Sequence, residues 1–480
     1  MSSLKNNVVL NAINTITKIL FPVVTFPYAS RILEPDGIGT VNFLSSIVQY
    51  IVLLTSLGIP MYAVREIAKY RNDLGTRNTI VFEVILLSAS LCAIGYLIVF
   101  LLESFVPQIH NQAKLFYILS LTIIFTGIGV EWFYQGIEDF KFITIRGIIV
   151  RTIAAASIFF FVKEKDDLLM YGAITVGSSV GNNIINFFHL WRYVGIPTIQ
   201  WRKLNVFRHL KPAVRIFLLN LIISLYVSLD SIMLGFMQGD VAVGYYTAAV
   251  KLSHTVLTIV TSLGVVMIPR CSNLVQNGDM DGFARVCNKA IRLVIAAAFP
   301  IMTGLIFLAY PVIMLFCGDD FLPSVFVLRW VSPIILFVGI TNVLGLQVLY
   351  PQNKENIVIS SVTGGAVLNI ILNILLIPRY AQFGAAIATL MAEGMVLVLQ
   401  IVFGRKYIPF NFKDCYIGRY LFATFVMCIS ILPVLFFLHN DVMQIILAVG
   451  IGAAVYGGIL LIFKDEIAEE LLAMIKQKHI

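Results

Sequence analysis

Long apolar runs set the terms on which this chain can fold. They recur near residues 8–29, 39–63, 78–102, 115–133, 147–162, 168–190, 216–236, 242–268, 293–316, 325–350, 358–377, 383–403, 420–438 and 442–463. A helix needs about 20 apolar residues to cross a bilayer's hydrocarbon core. Backbone groups in lipid must pair internally, so a spanning chain is either helical or a closed barrel. These runs far exceed the ~10-residue alternating strands of a barrel. The expected fold is therefore all-α and integral to the membrane, with about fourteen transmembrane helices. Composition agrees. Only 12% of residues are charged and mean hydropathy is +0.91, against ~25% charged in soluble domains.

The net charge of +8 could suggest nucleic acid, but its distribution argues against that partner. With an even number of spans, both termini lie on one side. Of the 34 Lys and Arg residues, 25 fall on that side, 5 on the other, and 4 (Lys18, Arg151, Lys251, Arg329) inside spans. Basic loops stay in the cytoplasm, so both termini are expected there and the protein in an inner membrane. Opposite loops are short and acidic, as at Glu34 and Asp36 or Asp319 and Asp320. Met1–Asn7 lacks the basic start and cleavage site of a signal peptide, so the first span is expected to stay as an anchor. No loop is large enough for a catalytic domain, and no GxxxxGK[ST] phosphate loop occurs. We expect no enzyme, no catalytic residues, no nucleotide and no cofactor. The six cysteines form no CxxC pair and read as small apolar residues, and no metal site is expected.

Two echoes suggest that the chain repeats. Gly172, opening the sixth span, matches Gly384, opening the twelfth, 212 residues on. Asp36-Gly37-Ile38-Gly39 matches Asp240-Val241-Ala242-Val243-Gly244, with final glycines 205 residues apart. The organisation expected is an N-terminal lobe of six spans over 1–191, a basic cytoplasmic linker at 192–215 and a second six-span lobe over 216–403. Two further spans (404–463) and an amphipathic cytoplasmic tail (464–480) follow. Internal repeats are the common plan of secondary transporters, with the site between them.

Polar residues are costly in a bilayer, so their placement is informative. Asn7, Asn11, Asn14, Lys18 and Thr25 recur at helical spacing in the first span, and Asn42, Ser45, Gln49 and Ser56 in the second. Asn220, Ser224 and Ser231 mark the seventh, with Asp230 at the edge; Thr247, Lys251, Thr255, Thr258 and Ser262 mark the eighth. Four stripes at matching places, two of them with a lysine, point to a hydrated cavity. Ser, Thr and Asn also line ordinary helix contacts in membranes, and that alternative stays open for each stripe alone. Lys18 and Lys251 would attract phosphate, Asn11, Asn14, Asn42, Gln49 and Asn220 would meet sugar hydroxyls, and Thr255 would line the same cavity. Arg31 is a candidate for cargo contact or for an ion pair with Glu34 or Asp36. Asp230 and Glu393, the acids deepest in spans, are candidates for coupling to protons or sodium. Asp230 with Lys251 is an alternative structural pair. Spans thirteen and fourteen carry little polarity, and read as packing helices or as walls of an apolar groove.

Pro27-Tyr28-Ala29-Ser30-Arg31-Ile32-Leu33, followed by Gly37-Ile38-Gly39, resembles the opening of the Wzx-type bacterial oligosaccharide flippases. So does Leu229-Asp230-Ser231-Ile232-Met233-Leu234-Gly235, followed by Gly244-Tyr245-Tyr246-Thr247-Ala248-Ala249. These flippases belong to the multidrug/oligosaccharidyl-lipid/polysaccharide (MOP) exporter superfamily. The resemblance covers nearly the whole chain. It implies two six-helix lobes with spans one, two, seven and eight lining the cavity. It also implies the cargo: an undecaprenyl-diphosphate-linked repeat unit of O-antigen or capsule, turned between leaflets by alternating access. A polysaccharide polymerase and a chain-length regulator are the implied partners. Peptidoglycan-precursor flippases of the group carry several cavity arginines on spans one, two and eight; Lys18, Arg31 and Lys251 stand here instead. Drug exporters of the group usually carry an acid on span one, and none lies between Met1 and Arg31.

Overall fold

A computed structural model describes residues 4–194, 204–265, 267–410 and 415–477. Side chains at 4–12, 14–16, 18–19, 215–216, 218–228, 263, 265, 471–472 and 474–477 lie outside the description. The chain divides into two compact units, Met1–Gly244 and Tyr245–Ile480.

The first unit contains α1 (Leu4–Ser56), α2 (Ile59–Lys69), α3 (Leu74–Phe105), α4 (Pro107–His110), α5 (Ala113–Gly127), α6 (Glu131–Gly136), α7 (Phe140–Phe161), α8 (Leu168–Val180), α9 (Asn182–Val194) and α10 (Leu210–Gln238), and the start of α11 (Asp240–Val265). The second unit takes the rest of α11, then α12 (Ile268–Gln276), α13 (Met280–Phe307), α14 (Ala309–Cys317), α15 (Ser324–Val331) and α16 (Ile334–Asn342). It continues with α17 (Glu355–Gly404), α18 (Ile417–Phe437), α19 (Asp441–Ile462) and α20 (Glu466–Gln477). The fold is an all-α membrane bundle. Among the described residues, nine helical stretches are long and apolar enough to cross a membrane.

Several expected spans are joined or broken. The first two run together in α1, which kinks at Glu34 (φ 55°, ψ −179°). Pro35 follows, and a residue before proline is driven out of the helical region. Spans eleven and twelve share α17, which kinks at Ala381 (φ 47°) three residues after Pro378. The sixth span divides at Gly181 into α8 and α9. Three helices start on an aspartate whose side chain accepts a backbone N–H of the first turn: Asp73 from Thr76 at 3.2 Å, Asp139 from Phe142 at 3.3 Å and Asp279 from Gly282 at 2.8 Å.

Two short amphipathic helices replace the end of the expected second span with the loop after it, and the loop that follows the eighth. Gly58 adopts a left-handed φ of 72°, and Ile59-Pro60 opens α2; Ile268-Pro269 opens α12 in the same way. Proline suits a first turn, where its missing N–H would have no partner. Ile59, Ala63 and Ile67 of α2 are buried in a core with Val84, Trp132, Phe133 and Leu190. Large apolar side chains such as Phe105, Phe160, Phe437 and Ile462 stay exposed on the bundle's outside, as a lipid-facing surface requires.

The two echoed glycine segments meet inside the first unit. A Cβ on Gly39 would lie 1.7 Å from the carbonyl oxygen of Asp240, and a Cβ on Gly244 would lie 1.9 Å from that of Pro35. Only glycine allows two backbones this close. The offset that relates Gly39 to Gly244 also relates Pro35 to Asp240. Each glycine therefore packs on the residue four positions before the other. The Thr40 hydroxyl donates to Asp240 Oδ2 at 2.7 Å and fastens the crossing.

Candidate functional site

The candidate residues fall in both units. In the first, the Asn42 carboxamide is half-buried and donates to the Ile38 carbonyl at 2.8 Å. Gln49 and Arg31 are exposed. Asp230 is buried on α10, within Coulombic reach of the Tyr50 hydroxyl. The side chains of Asn11, Asn14, Lys18 and Asn220 lie outside the described residues. In the second unit, Lys251 and Thr255 are half-buried on α11, one turn apart, with the Thr255 hydroxyl donating to the Lys251 carbonyl at 2.8 Å. Glu393 is half-buried on α17. Glu34, weighed above as an ion-pair partner for Arg31, makes its ion pair with Lys165.

The first unit also holds a buried charge cluster. Glu83 of α3 is 1% exposed and accepts from the Asn205 N–H at 2.7 Å and from Arg208 Nε at 2.8 Å. His209 Nε2 lies 2.7 Å from the same carboxylate, and His209 Nδ1 lies 2.7 Å from the Tyr62 hydroxyl. A carboxylate this deep is tolerable only when paired and hydrogen-bonded. The cluster ties the end of the linker, and with it the start of α10, to α2 and α3. The partners of Glu83 lie more than 120 residues away along the chain, so the cluster leaves no local signal in the sequence.

The second unit holds an apolar groove of about 690 Å³ between α11, α13, α18 and α19. Ala297, Gly304, Ile431, Gly452 and Gly457 are among its walls. It follows α19 from Ile445 to Leu461, about 24 Å at 1.5 Å per residue, most of a hydrocarbon core's thickness. Nothing lies within 4 Å of a Cβ placed on Gly304 or Gly457, so these glycines keep the trough open. The small residues of span fourteen thus form a groove wall, one of the two readings open from sequence. Gly304→Phe and Gly457→Phe are expected to fill the groove while keeping the fold. Binding of a radiolabelled polyprenyl diphosphate should fall on the order of tenfold, since a tenfold change needs only the loss of a few buried methylenes. Unchanged binding would remove the groove from the site.

Buried carboxamides that sequence reasoning passed over also occur in this unit. Asn373 Nδ2 donates to Asn369 Oδ1 at 3.1 Å within α17. Gln347 is fully buried in a π-helical turn, Val343–Leu349, opposite Gly264. Their spacing alone could not separate them from packing residues.

Helical spans define a multi-pass α-helical membrane protein, and its likeness to solved structures gives it the MOP exporter fold. A structure titled "Lipid II flippase MurJ, inward closed conformation" superposes with a TM-score of 0.77 over 97% of this chain and 100% of that one, at 17% identity. An inward-facing multidrug resistance MATE family transporter of the MOP superfamily gives 0.62 over 84% and 98%, at 12% identity. By sequence, a protein of Escherichia coli (strain K12) described as an O-antigen transporter is 25% identical over 405 residues, covering 84% of this chain and 97% of its own length. The chain belongs to the polysaccharide biosynthesis protein family, whose sequence profile matches residues 3–275.

Proposed function

We propose that this protein is a flippase: it carries undecaprenyl-diphosphate-linked oligosaccharide repeat units from the cytoplasmic to the periplasmic leaflet for O-antigen or capsule assembly. The observation that carries this reading is the apolar groove, whose length and lack of polar groups suit a polyprenyl chain. The relative described as an O-antigen transporter supports the same cargo class. The protein sits in the inner membrane with both termini cytoplasmic, the side on which basic loops gather. Lys18, Arg31 and Lys251 attract the diphosphate as positive charges, and Asn11, Asn14, Asn42, Gln49, Asn220 and Thr255 hydrogen-bond the sugars. The tail stays in the groove while the halves, 1–191 and 216–403, rock by alternating access. No bond is made or broken. Asp230 or Glu393 couples the cycle to protons or sodium, and the product passes to a polymerase and its chain-length regulator.

The test is surface polysaccharide in a strain whose only copy carries Lys18→Ala with Lys251→Ala. Losing the two lysines, and with them two of the three phosphate-attracting charges, should cut surface polysaccharide on the order of tenfold or more at equal protein level. Wild-type polysaccharide would show that these lysines do not handle the diphosphate.

A further inference from the structure

The foot of the groove is built differently from its walls. Its inner end is formed by Leu460, Leu461, Ile467 and Ala468, where α19 turns into α20. On α13, Arg292 directly precedes the groove residue Leu293, and Lys289 lies one turn earlier. Arg292 stands over the Tyr416 ring at 5.1 Å, and Arg419 over the same ring at 4.2 Å. Three cations are thus gathered at one end of a hydrocarbon-lined trough.

Asp465, just before α20, and the carboxylates of α20 hold two of these cations in two different ways. Asp465 is fully buried; it accepts from Arg292 Nη2 at 3.2 Å, the Tyr420 hydroxyl at 3.0 Å and the Ile467 N–H at 3.1 Å. That contact bolts the turn in place. Glu466 meets Arg292 Nη1 at 2.8 Å and is 77% exposed, and Glu470 meets Lys289 at 2.7 Å with both side chains about half exposed. The Lys289–Glu470 pair is exposed on both sides and of the weak, readily exchanged kind; Arg292 is itself only 11% exposed, and its exchangeable contact is the one to the outward-facing Glu466. Arginine bonds phosphate in the same forked geometry it uses for carboxylate.

We propose that Arg292, Lys289 and Arg419 form an inner-leaflet docking site for a membrane-anchored phosphate, with the prenyl chain in the groove and the Glu466 and Glu470 carboxylates of α20 holding the site until phosphate displaces them. An apolar channel ending in exchangeable cations is complementary to a long hydrocarbon bearing phosphate at one end. Asp465 keeps α20 attached during the exchange. The choice of a prenyl diphosphate over other lipid phosphates rests on the transport reading above.

The test uses the full chain in phosphatidylcholine nanodiscs, with undecaprenyl diphosphate, phosphatidylglycerol and inorganic pyrophosphate as probes. Glu466→Gln with Glu470→Gln removes the competing carboxylates and should tighten undecaprenyl diphosphate several-fold. Lys289→Gln with Arg419→Gln, two surface changes, should weaken it on the order of tenfold. Unchanged affinity in either pair overturns the proposal. Pyrophosphate binding as tightly as the prenyl compound would also overturn it, because the groove would then add nothing. Equal binding of phosphatidylglycerol would do the same, by marking a general anionic-lipid contact. A parallel arm asks whether the wild-type chain restores surface polysaccharide to a deletion strain. Restoration alongside unchanged binding in the variants removes the docking site and leaves the transport reading standing. Failure to restore removes the transport reading itself.

Discussion

Glu83→Ala is expected to lower the stability of the first unit by about 3 kcal/mol, the lower end of the range for breaking a buried ion pair. Glu83 accepts from Asn205, Arg208 and His209 together. Deleting it leaves the buried His209 ring nitrogen and the Asn205 N–H without an acceptor. Arg208 is 44% exposed and can turn to water, which keeps the loss from the upper end of the range. In thermal unfolding of the detergent-solubilised protein, this should appear as a fall of roughly 5–10 °C in Tm. Tyr62→Phe removes one hydrogen bond from the edge of the same cluster, and should cost about 1 kcal/mol. Equal losses from the two substitutions would mean that Glu83 is no hub.

Gly39→Ala should be nearly as damaging although it adds a single methyl. The new Cβ would fall 1.7 Å from a backbone carbonyl oxygen, where no side chain can swing aside. The helices must separate, and the Thr40–Asp240 hydrogen bond is lost with them. Overpacking of this kind costs about 1–3 kcal/mol, and the lost bond adds about 1 kcal/mol. Gly75→Ala serves as the comparison: its Cβ would meet only an Asp73 oxygen at 3.6 Å, so it should be close to neutral. Fluorescence-detected size exclusion after heating would separate the two. A Gly39→Ala protein that melts with wild type would show that the crossing is looser than these distances.

Much of the architecture was legible because lipid imposes one solution on every long apolar run. The spans, the all-helical class and the matching glycine segments all follow from patterns a single sequence displays. Elements that depend on distant partners were hidden. Residues 59–63 read as the end of the second span, and 64–69 and 269–276 as loops, although Ile59, Ala63 and Ile67 recur at helical spacing and could have betrayed α2. Arg292 was counted as a loop cation and Asp465 only as part of the tail, yet they meet across 173 residues. Each looks solvated until its partner is known. The polar stripes were visible at once, but a stripe gives a helix face without saying what the face meets, so Asn42 proved to be partly engaged with its own backbone.

The glycine crossing has a consequence for descent as well as for stability. Because Gly39 sits on Asp240 and Gly244 on Pro35 under a single offset, the contact is self-complementary. Two separate molecules of an ancestral half could have clasped one another through this very surface, in the isologous manner of a twofold dimer. Fusing such halves would turn an association that depends on concentration into one fixed by the polypeptide, and each copy could then diverge everywhere except where the backbones touch.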